Sequence, residues 1–325
     1  MKKRALLLIL ILTLASALSA CGIKPEDEAA EFEDFIVVGF SQVGAESDWR
    51  NANTKSMQNA FSEANGYRLI IDDAQQKQDK QITAIRNFIH QGVDYIVLAP
   101  TTEQGFDTVL QEARVASIPV IIVDRMIDVK DESLFTCWVG SDFRREGDEA
   151  VRWMEDNFVG KPLQIVHLQG NIGSSAQLGR TAGLDEGLKN HPEWTLAFRD
   201  SGDFTQAKGQ ELTEAFLASG NTFDVLFSEN DNMAYGAIDA LKKYGLTPGE
   251  DVWIISFDAN RTALEMVQNG IISFDVECNP LHGPRVRAII EMLEEGKTPP
   301  KFTYVEESVF NKSNVNAEVI QMRGY

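Results

Sequence analysis

From residue 35 onward, short apolar runs alternate with longer segments in which apolar side chains recur at helical spacing. The runs are continuously apolar, which is typical of parallel strands buried on both faces of a sheet. Repeated alternation of strand and helix predicts an α/β fold built on parallel sheets. We predict strands at residues 35–40, 69–71, 95–98, 120–123, 165–168, 225–227, 252–257 and 271–276.

The two halves of this region repeat the same order of elements. In the first half, Asp94 begins an apolar run, and a polar loop and a helical segment lead to a second run that ends at Asp124. The same order recurs between Asp224 and Asp258, about 130 residues later. We therefore predict two similar doubly wound lobes, with a ligand cleft between them at the carboxyl ends of their strands.

Polar and aromatic side chains stand where the predicted strands end. Guanidinium, amide and carboxylate groups suit a polyol, because adjacent hydroxyls accept from the first two and donate to the third. An aromatic ring can also pack on the C–H face of a sugar. The strand-end candidates are the loop from Ser41 to Arg50 with Trp49, then Asp124, Arg125, Arg180, Asn230, Asp231 and Asp258.

Each candidate also has a purely structural interpretation. Asp124 and Arg125 are adjacent and could form an ion pair of the scaffold. Trp49 could belong to a hydrophobic core. Asn230 or Asp231 could cap the helix that follows, since these residue types are preferred at helix starts. What favours a binding site is that the same chemistry recurs at five separate strand ends.

The first 20 residues have the features of an export signal. Three basic residues precede an apolar stretch that is too short to span a membrane as a helix and ends in small residues. The sequence Leu18-Ser19-Ala20-Cys21 resembles the bacterial lipobox, whose cysteine becomes the lipidated N-terminus after cleavage. We predict a signal peptide at 1–20, lipidation at Cys21 and an acidic, solvated tether at 21–35, on a protein anchored outside the cell membrane.

The charge of the chain excludes one class of partner. The formal net charge is -19, and loss of the three basic residues of the signal makes it -22. No basic cluster interrupts this acidity, so nucleic acid, whose phosphates repel such a chain, is not an expected partner.

Cysteines and histidines give no sign of reactive chemistry. After Cys21, only Cys137 and Cys278 remain; they could pair in an oxidising exterior, but we expect free thiols. The four histidines lack metal-ligand spacing, and no hydrolase or metalloprotease motif occurs. We expect no metal, no cofactor and no enzymatic activity.

At these residues the chain resembles the periplasmic sugar-binding proteins of ABC importers, in the ribose/galactose-binding branch. The motifs that carry the resemblance are Val38-Gly39-Phe40-Ser41-Gln42, Val123-Asp124-Arg125, Leu168-Gln169-Gly170 through Arg180, Gly202-Asp203-Phe204, Glu229-Asn230-Asp231-Asn232-Met233 and Phe257-Asp258. Residues 39–50, residues 72–78 and the terminal Gly324-Tyr325 are most similar to galactofuranose-binding members. Two positions depart from those members: Asp48 replaces a glycine, and Cys278-Asn279 replaces other residues.

The resemblance implies a type I periplasmic binding protein, in which two lobes are joined by a three-strand hinge. The implied lobes are an N-terminal lobe of residues 36–141 and 278–306 and a C-terminal lobe of residues 142–277 and 307–325. The implied crossovers lie near 140–142, 277–279 and 305–308. The implied ligand-binding residues are Ser41, Glu46, Trp49, Arg50, Asp124, Arg125, Arg180, Phe204, Asn230 and Asp258.

The resemblance also implies a function and partners. A monomeric protein would capture a monosaccharide such as galactofuranose, galactose or ribose and present it to an ABC transporter permease. A sugar sensor that delivers its loaded state to a membrane receptor or histidine kinase remains an alternative on sequence grounds. A repressor of the same fold is disfavoured by the export signal, the acidity and the missing helix-turn-helix.

The lipobox generates the first prediction. Cys21→Ser removes the thiol that would carry the lipid, so the mature protein should move from the membrane fraction to the soluble exported fraction. Fractionation followed by mass spectrometry of the N-terminus measures both effects. Membrane association that is unchanged in the variant, together with an unlipidated wild-type N-terminus, would contradict the prediction.

Overall fold

The computed structural model describes residues 35–325, so the predicted signal peptide, Cys21 and all of the predicted tether except its last residue lie outside the described residues. The strands, in chain order, are β1 (Ile36–Gln42), β2 (Tyr67–Asp73), β3 (Tyr95–Leu98), β4 (Val120–Val123), β5 (Cys137–Gly140), β6 (Leu163–Gln169), β7 (Trp194–Ser201), β8 (Val225–Ser228), β9 (Trp253–Asp258), β10 (Phe274–Glu277), β11 (Phe302–Tyr304) and β12 (Val309–Phe310). The helices are α1 (Asp48–Ala60), α2 (Gln78–Gln91), α3 (Asp107–Val115), α4 (Phe143–Asn157), α5 (Ser175–Asn190), α6 (Gln206–Ala218), α7 (Asp231–Lys243), α8 (Arg261–Gln268), α9 (His282–Glu294) and α10 (Ala317–Met322).

These strands form two six-stranded sheets, each the centre of one lobe. The first sheet has the order β11-β5-β4-β3-β1-β2, and the second has the order β12-β10-β9-β8-β6-β7. Every pairing is parallel except that of β12 with β10. The prediction of two similar doubly wound parallel-sheet lobes is therefore confirmed. No helix of residues 35–325 is long and apolar enough to cross a bilayer.

The central strands of each sheet are buried on both faces, as the continuously apolar runs predict. In β4, Ile121 and Val123 pack into one hydrophobic cluster, whereas Val120 and Ile122 pack into another. Successive side chains of a strand point to opposite faces, so a strand covered on both sides needs an apolar residue at every position. The helices supply the covering layers.

The internal repeat is visible in one pair of hydrogen-bonded aspartates. Oδ2 of Asp94, just before β3, accepts from the backbone N of Val37 in β1 at 2.8 Å. Oδ2 of Asp224, just before β8, accepts from the backbone N of Gln164 in β6 at 2.7 Å. Each aspartate joins two neighbouring strands of its own sheet at the edge opposite the cleft, so the two lobes share local detail as well as topology.

The chain passes between the two sheets three times. It leaves the first sheet after Gly140, returns after Glu277, and crosses again between β11 and β12. The helix α9, which follows the second passage, packs against α1 of the first lobe. The three connections form the hinge, and the sugar-binding candidates of both halves face the space beside it.

Glycines let two helices of the second lobe approach at backbone distance. A Cβ on Gly183 of α5 would lie 2.5 Å from the backbone C of Gly147 of α4, and one on Gly147 would lie 2.8 Å from the backbone O of Arg180. These neighbouring atoms belong to the main chain and cannot rotate away. The close contact of α4 with α5 therefore depends on glycine.

Gly183→Ala should destabilise the fold although alanine is the better helix former. The gain in helix propensity is about 1 kcal/mol, whereas overpacking of this kind costs about 1–3 kcal/mol and here meets rigid backbone. We expect a net fall in the free energy of unfolding, measured by chemical denaturation. Gly324→Ala, where the new Cβ meets nothing within 4 Å, is the matched control. A Gly183 variant as stable as the control would contradict the prediction.

Candidate functional site

The loop after β1 and the first turn of α1 place charged and aromatic groups at the cleft. Oγ of Ser47 accepts from the backbone N of Arg50 at 3.1 Å and so caps α1. Nε of Arg50 donates to Oε1 of Glu46 at 3.1 Å. The indole Nε1 of Trp49 donates to the backbone O of Cys278, in the hinge, at 2.7 Å. The cap and these two bonds fix Trp49 and Arg50 in the cleft.

Asp124 and Arg125 occupy the turn after β4. Asp124 has a left-handed backbone, with φ of 62°, which is costly for a residue with a side chain. Its Oδ2 lies 2.9 Å from Nη1 of Arg50, as an ion pair without the alignment of a hydrogen bond. Arg125 is less closely paired, because its guanidinium nitrogens stay 3.9 Å from Glu46 and 4.0 Å from Asp124. Asp124 is thus neutralised by Arg50 more than by its neighbour Arg125.

The second lobe contributes Arg180 and Asp258. Nε of Arg180, on α5, donates to Oε2 of Glu146, on α4, at 2.6 Å. Nη2 of Arg180 lies 3.8 Å from Oδ1 of Asp258. Asp258 ends β9 with φ of 112°, again a left-handed conformation. An arginine flanked by two carboxyl groups therefore faces the cleft from this side as well.

Asn230 and Phe204 complete the wall of the second lobe. Oδ1 of Asn230 accepts from the backbone N of Met233 at 3.0 Å, so Asn230 does cap α7. Its Nδ2 donates to the backbone O of Phe204 at 3.1 Å. The ring of Phe204 lies 5.2 Å from the guanidinium carbon of Arg125, across the cleft. The capping role of Asn230 is therefore compatible with a place in the cleft wall.

Together these groups line one cleft. Nine of the ten predicted ligand-binding residues line it. Ser41 does not: it is fully buried within β1, paired with Asp72 and Leu98 of the flanking strands, because β1 continues one residue further to Gln42. The lining residues are Glu46, Ser47, Trp49, Arg50, Asp124, Arg125, Phe143, Ala176, Arg180, Phe204, Asn230, Asp258 and Cys278.

Four lining residues are not among the ten implied ligand-binding residues, although Ser47 belongs to the candidate loop from Ser41 to Arg50. Ser47 carries the signal of a helix cap, a serine at the start of a helical segment, which could have placed it at the site. Ala176 lies in the first turn of α5, four residues before Arg180. Phe143 and Cys278 follow the first two hinge crossings, and no local pattern in the sequence indicates that these points meet at the cleft.

Burial controls the ionisation of the cleft. Burial, and after it the charge of Arg50, lower the pKa of Arg125 to about 10. Burial raises the pKa of Asp258 well above its usual range, although Arg180 opposes the shift. Burial likewise raises the pKa of Glu146 to about 7. A dry site of this kind strengthens every hydrogen bond that a ligand forms with its charged groups.

Contacts across the rim hold the lobes together around the cleft. The backbone N of Asp48 donates to Oδ1 of Asn232 at 3.0 Å, and Nδ2 of Asn232 donates back to Oδ2 of Asp48 at 3.2 Å. Elsewhere on the rim, the backbone N of Met126 donates to Oγ of Ser175 at 2.8 Å. Arg50 and Arg180 are each only 2 % exposed, so the arrangement is a closed one.

Both cysteines are free, as expected, and Cys278 belongs to a cluster of side chains at the hinge. Glu146, Cys278 and Glu307 place potential ligand atoms within 4.8 Å of one another. Protein donors already serve this group: Arg180 bonds Glu146, and Oγ of Ser141 donates to Oε1 of Glu307 at 2.6 Å. Burial raises the pKa of Glu307 to about 8. The cluster therefore has the character of a hydrogen-bonded junction between hinge connections.

Comparison with known proteins places this site in a family. Residues 38–282 match the family described as periplasmic binding protein domain. The chain is 38% identical to the galactofuranose-binding protein YtfQ of Escherichia coli (strain K12) over 288 residues, which cover 87% of this chain and 90% of that protein. The resemblance to galactofuranose-binding members, drawn from the first loop, is therefore confirmed.

Two solved structures superpose on the whole fold. One, from Mycobacterium smegmatis in complex with β-D-fucofuranose, has a TM-score of 0.84 at 38% identity, with 87% of this chain and 94% of that chain covered. The other is the periplasmic binding component of the arabinose ABC transporter of Shewanella sp. ANA-3, bound to α- and β-L-arabinofuranose; its TM-score is 0.83 at 38% identity, with 89% and 95% covered. The fold, the cleft and these matches together show that the chain belongs to the periplasmic binding protein domain family.

Proposed function

We propose that the chain captures a neutral monosaccharide in its furanose form between the two lobes and delivers it to an ABC importer. The observation that carries the proposal is unused hydrogen-bonding capacity around the cleft. Among the described residues, no donor hydrogen-bonds to Oε2 of Glu46 or Oδ2 of Asp124, and both atoms are buried. Arg125 stands beside them with no carboxylate closer than 3.9 Å. Adjacent sugar hydroxyls fit such a set, because each one both donates and accepts.

The charge balance of the cleft favours an uncharged ligand. Three guanidinium groups and three carboxyl groups line it, so its formal charge is zero. A sugar acid or an amino sugar would add a charge without a counter-charge, which is costly in a site as dry as this one. A neutral polyol leaves the formal charge of the cleft at zero.

Similarity to proteins that bind furanoses supports a furanose ring for the ligand. The relative from Escherichia coli is named for galactofuranose, and both solved structures described above hold a furanose. The first loop, where the sequence is most similar to galactofuranose-binding members, supplies Glu46, Trp49 and Arg50 to the cleft. Asp48 and Cys278, which depart from those members, lie at the rim and at the cleft floor, where they would adjust the choice of sugar.

Binding would couple to closure of the lobes. Arg50, Asp124 and Arg125 belong to the first lobe, whereas Arg180 and Asp258 belong to the second, so one sugar bonded to both sets favours the closed state. Micromolar affinity needs about -8 kcal/mol. Charge-assisted hydrogen bonds of about 1.5–3 kcal/mol each supply this after the ordering costs. The rim bonds between Asp48 and Asn232 assist the same closure.

We also propose where the protein acts and with which partner. The family is named for the periplasm, which lies outside the cytoplasm. The lipobox at Cys21 supports attachment of the protein to the outer face of the membrane. A monomer with one cleft suffices for delivery, since the loaded protein would dock on a permease. This role requires no catalytic step.

A panel of sugars tests the proposal directly. We expect neutral sugars that populate furanose forms, such as galactose, arabinose and fucose, to raise the melting temperature of residues 21–325, and methyl β-D-galactofuranoside to do so most. Saturation at a hundredfold the Kd stabilises by about 2.7 kcal/mol, which a thermal-shift assay resolves and calorimetry confirms. Galacturonate is the charged control. Binding of galacturonate alone, or of no sugar in the panel, would refute the proposal.

Arg125→Ala should weaken sugar binding far more than it weakens the fold. Arg50 still neutralises Glu46 and Asp124 in this variant, so no buried carboxylate loses its only partner. We expect a loss of affinity of about a hundredfold or more, for two charge-assisted hydrogen bonds, with a melting temperature close to that of the wild type in the absence of sugar.

Arg50→Ala is the matched control, because it also removes a buried guanidinium group, but one that forms short ion pairs with two carboxylates. It leaves Glu46 and Asp124 buried without their short ion pairs, which should destabilise the unliganded fold by about 3–5 kcal/mol. Thermal melts without sugar and calorimetry with sugar separate the two variants. A large loss of unliganded stability in Arg125→Ala, with affinity unchanged, would assign Arg125 to the scaffold.

A further inference from the structure

A buried histidine of the second lobe is hydrogen-bonded through both of its ring nitrogens. His167 lies in β6 and has no exposed surface. Nε of Arg199, in β7, donates to Nδ1 of His167 at 2.9 Å, and Nε2 of His167 lies 2.9 Å from Oε1 of Glu229. A guanidinium group can only donate, so Nδ1 must accept and the single ring proton lies on Nε2. His167 is therefore a neutral imidazole that donates from Nε2 to Glu229.

The side chain of Glu229 accepts hydrogen bonds from three different elements. Besides the bond from His167, the backbone N of Gly170 donates to Oε2 at 2.8 Å, and Oγ1 of Thr181 donates to Oε1 at 2.6 Å. Glu229 is fully buried just after β8. Among residues 35–325, the groups that hydrogen-bond to its two carboxyl oxygens are all donors, so the group is a carboxylate and not a carboxylic acid.

These bonds support two groups of the cleft wall. The ring of Phe204 packs so closely on Gly170 that a Cβ there would lie 1.8 Å from Cζ of the ring. Thr181 is the neighbour of Arg180 on α5, and Nη1 of Arg180 donates to the backbone O of Glu229. Phe204 and Arg180 line the cleft, whereas Glu229 does not. One residue behind the cleft therefore supports two residues that face it.

We infer that Glu229, oriented by His167 and Arg199, is a positioning residue that sets Arg180 and Phe204 for sugar binding. Neither Glu229 nor His167 lines the cleft, so both act through the side chains that do. The inference rests on the proposed function, because it takes Arg180 and Phe204 to contact the sugar.

The arrangement of donors requires a carboxylate at position 229. An amide in its place would offer one acceptor and one donor. Whichever way the amide turned, its NH₂ group would meet another donor, either the backbone N–H of Gly170 or the Nε2–H of His167. The imidazole cannot adapt to the amide while Arg199 donates to its Nδ1. Without Arg199, His167 could carry its proton on Nδ1 and accept at Nε2.

Glu229→Gln should weaken sugar binding although the substitution keeps the shape of the side chain. We expect the affinity for methyl β-D-galactofuranoside to fall by about tenfold or more, as expected when one buried polar group is left without a partner. Calorimetry well below the melting temperature measures this affinity on folded protein. An affinity equal to that of the wild type would overturn the inference.

Arg199→Leu should act differently with each residue at position 229. With Glu229 in place, it removes the donor to Nδ1 of His167 and should not raise the affinity. In Glu229→Gln, it frees His167 to change tautomer, and we expect the affinity to recover by about threefold or more. Asp185, which also pairs with Arg199, has a side chain that is 42% exposed, so water can replace that ion pair. Failure of Arg199→Leu to raise the affinity of Glu229→Gln would overturn the inference.

Two control variants separate this role from general damage to the second lobe. Glu155→Gln alters another histidine–glutamate pair, in which Oε1 of Glu155 lies 2.9 Å from Nε2 of His191 on the surface, and it should leave the affinity unchanged. Asp224→Ala removes the acceptor that joins β8 to β6 at the edge opposite the cleft, so it should lower stability but not affinity. A loss of affinity in Asp224→Ala as large as that in Glu229→Gln would overturn the inference.

The tautomer of His167 gives a readout that needs no sugar. Long-range ¹H–¹⁵N NMR distinguishes a ring nitrogen that carries a proton from one that accepts, and loss of the signal in His167→Gln assigns it. The wild type should show a neutral ring protonated at Nε2, and Glu229→Gln combined with Arg199→Leu should move the proton to Nδ1. A wild-type ring protonated at Nδ1 or at both nitrogens would overturn the inference, even if sugar binds. The expected tautomers in a protein that binds no sugar of the panel would refute the proposed function and leave the support of Arg180 and Phe204 by Glu229 in place.

Discussion

Three guanidinium groups lie in a cleft that is nearly closed to water, and the surrounding structure is arranged to neutralise them. A buried charge without a partner costs several kcal/mol, so Arg50 and Arg180 each hold a carboxylate at short range, whereas Arg125 has none closer than 3.9 Å. Arg50 requires Glu46 and Asp124, which belong to different loops of the first lobe. Arg180 requires Glu146 from a neighbouring helix. The glycines between α4 and α5 allow that approach, since Gly147 lies against the backbone of Arg180. The packing of α4 against α5 and the placement of Arg180 in the cleft therefore depend on the same glycines.

The same arrangement explains why strained backbone collects at the cleft. Asp124, Phe204 and Asp258 line it and all have left-handed φ angles. Asp124 and Asp258 stand at the ends of β4 and β9, which occupy corresponding positions in the two sheets. At each of these points the chain turns sharply and places a carboxyl group in the cleft. Asp124 is held by Arg50, and the turn at Asp258 by buried acids of its own lobe. The repeat of the fold has therefore kept a backbone shape while the supporting contacts diverged.

Sequence patterns predicted the buried centre of each sheet and most of the cleft. The continuously apolar strands were predicted because every position of a strand such as β4 packs against one face or the other. The strands β5, β7, β11 and β12 were not predicted: β7 is half-buried and carries polar residues, and β11 is exposed at all three positions. Phe143 and Cys278 were missed at the cleft because hinge geometry brings them there. Ser41 was expected to bind ligand and is instead enclosed in β1, since where a strand ends depends on pairing with its neighbours.

The three passages between the sheets have a consequence for how the chain reaches its folded form. The strand β11 pairs with β5, although Phe302 and Trp138 are separated by most of the second lobe, and α9 packs on α1 from the far end of the sequence. Neither sheet is complete within one continuous segment, so the first lobe lacks an edge strand and a covering helix until nearly the whole chain is available. Closing such long loops makes assembly slow. The two lobes are therefore not separable modules, and the chain must acquire both together, late in its synthesis or after it.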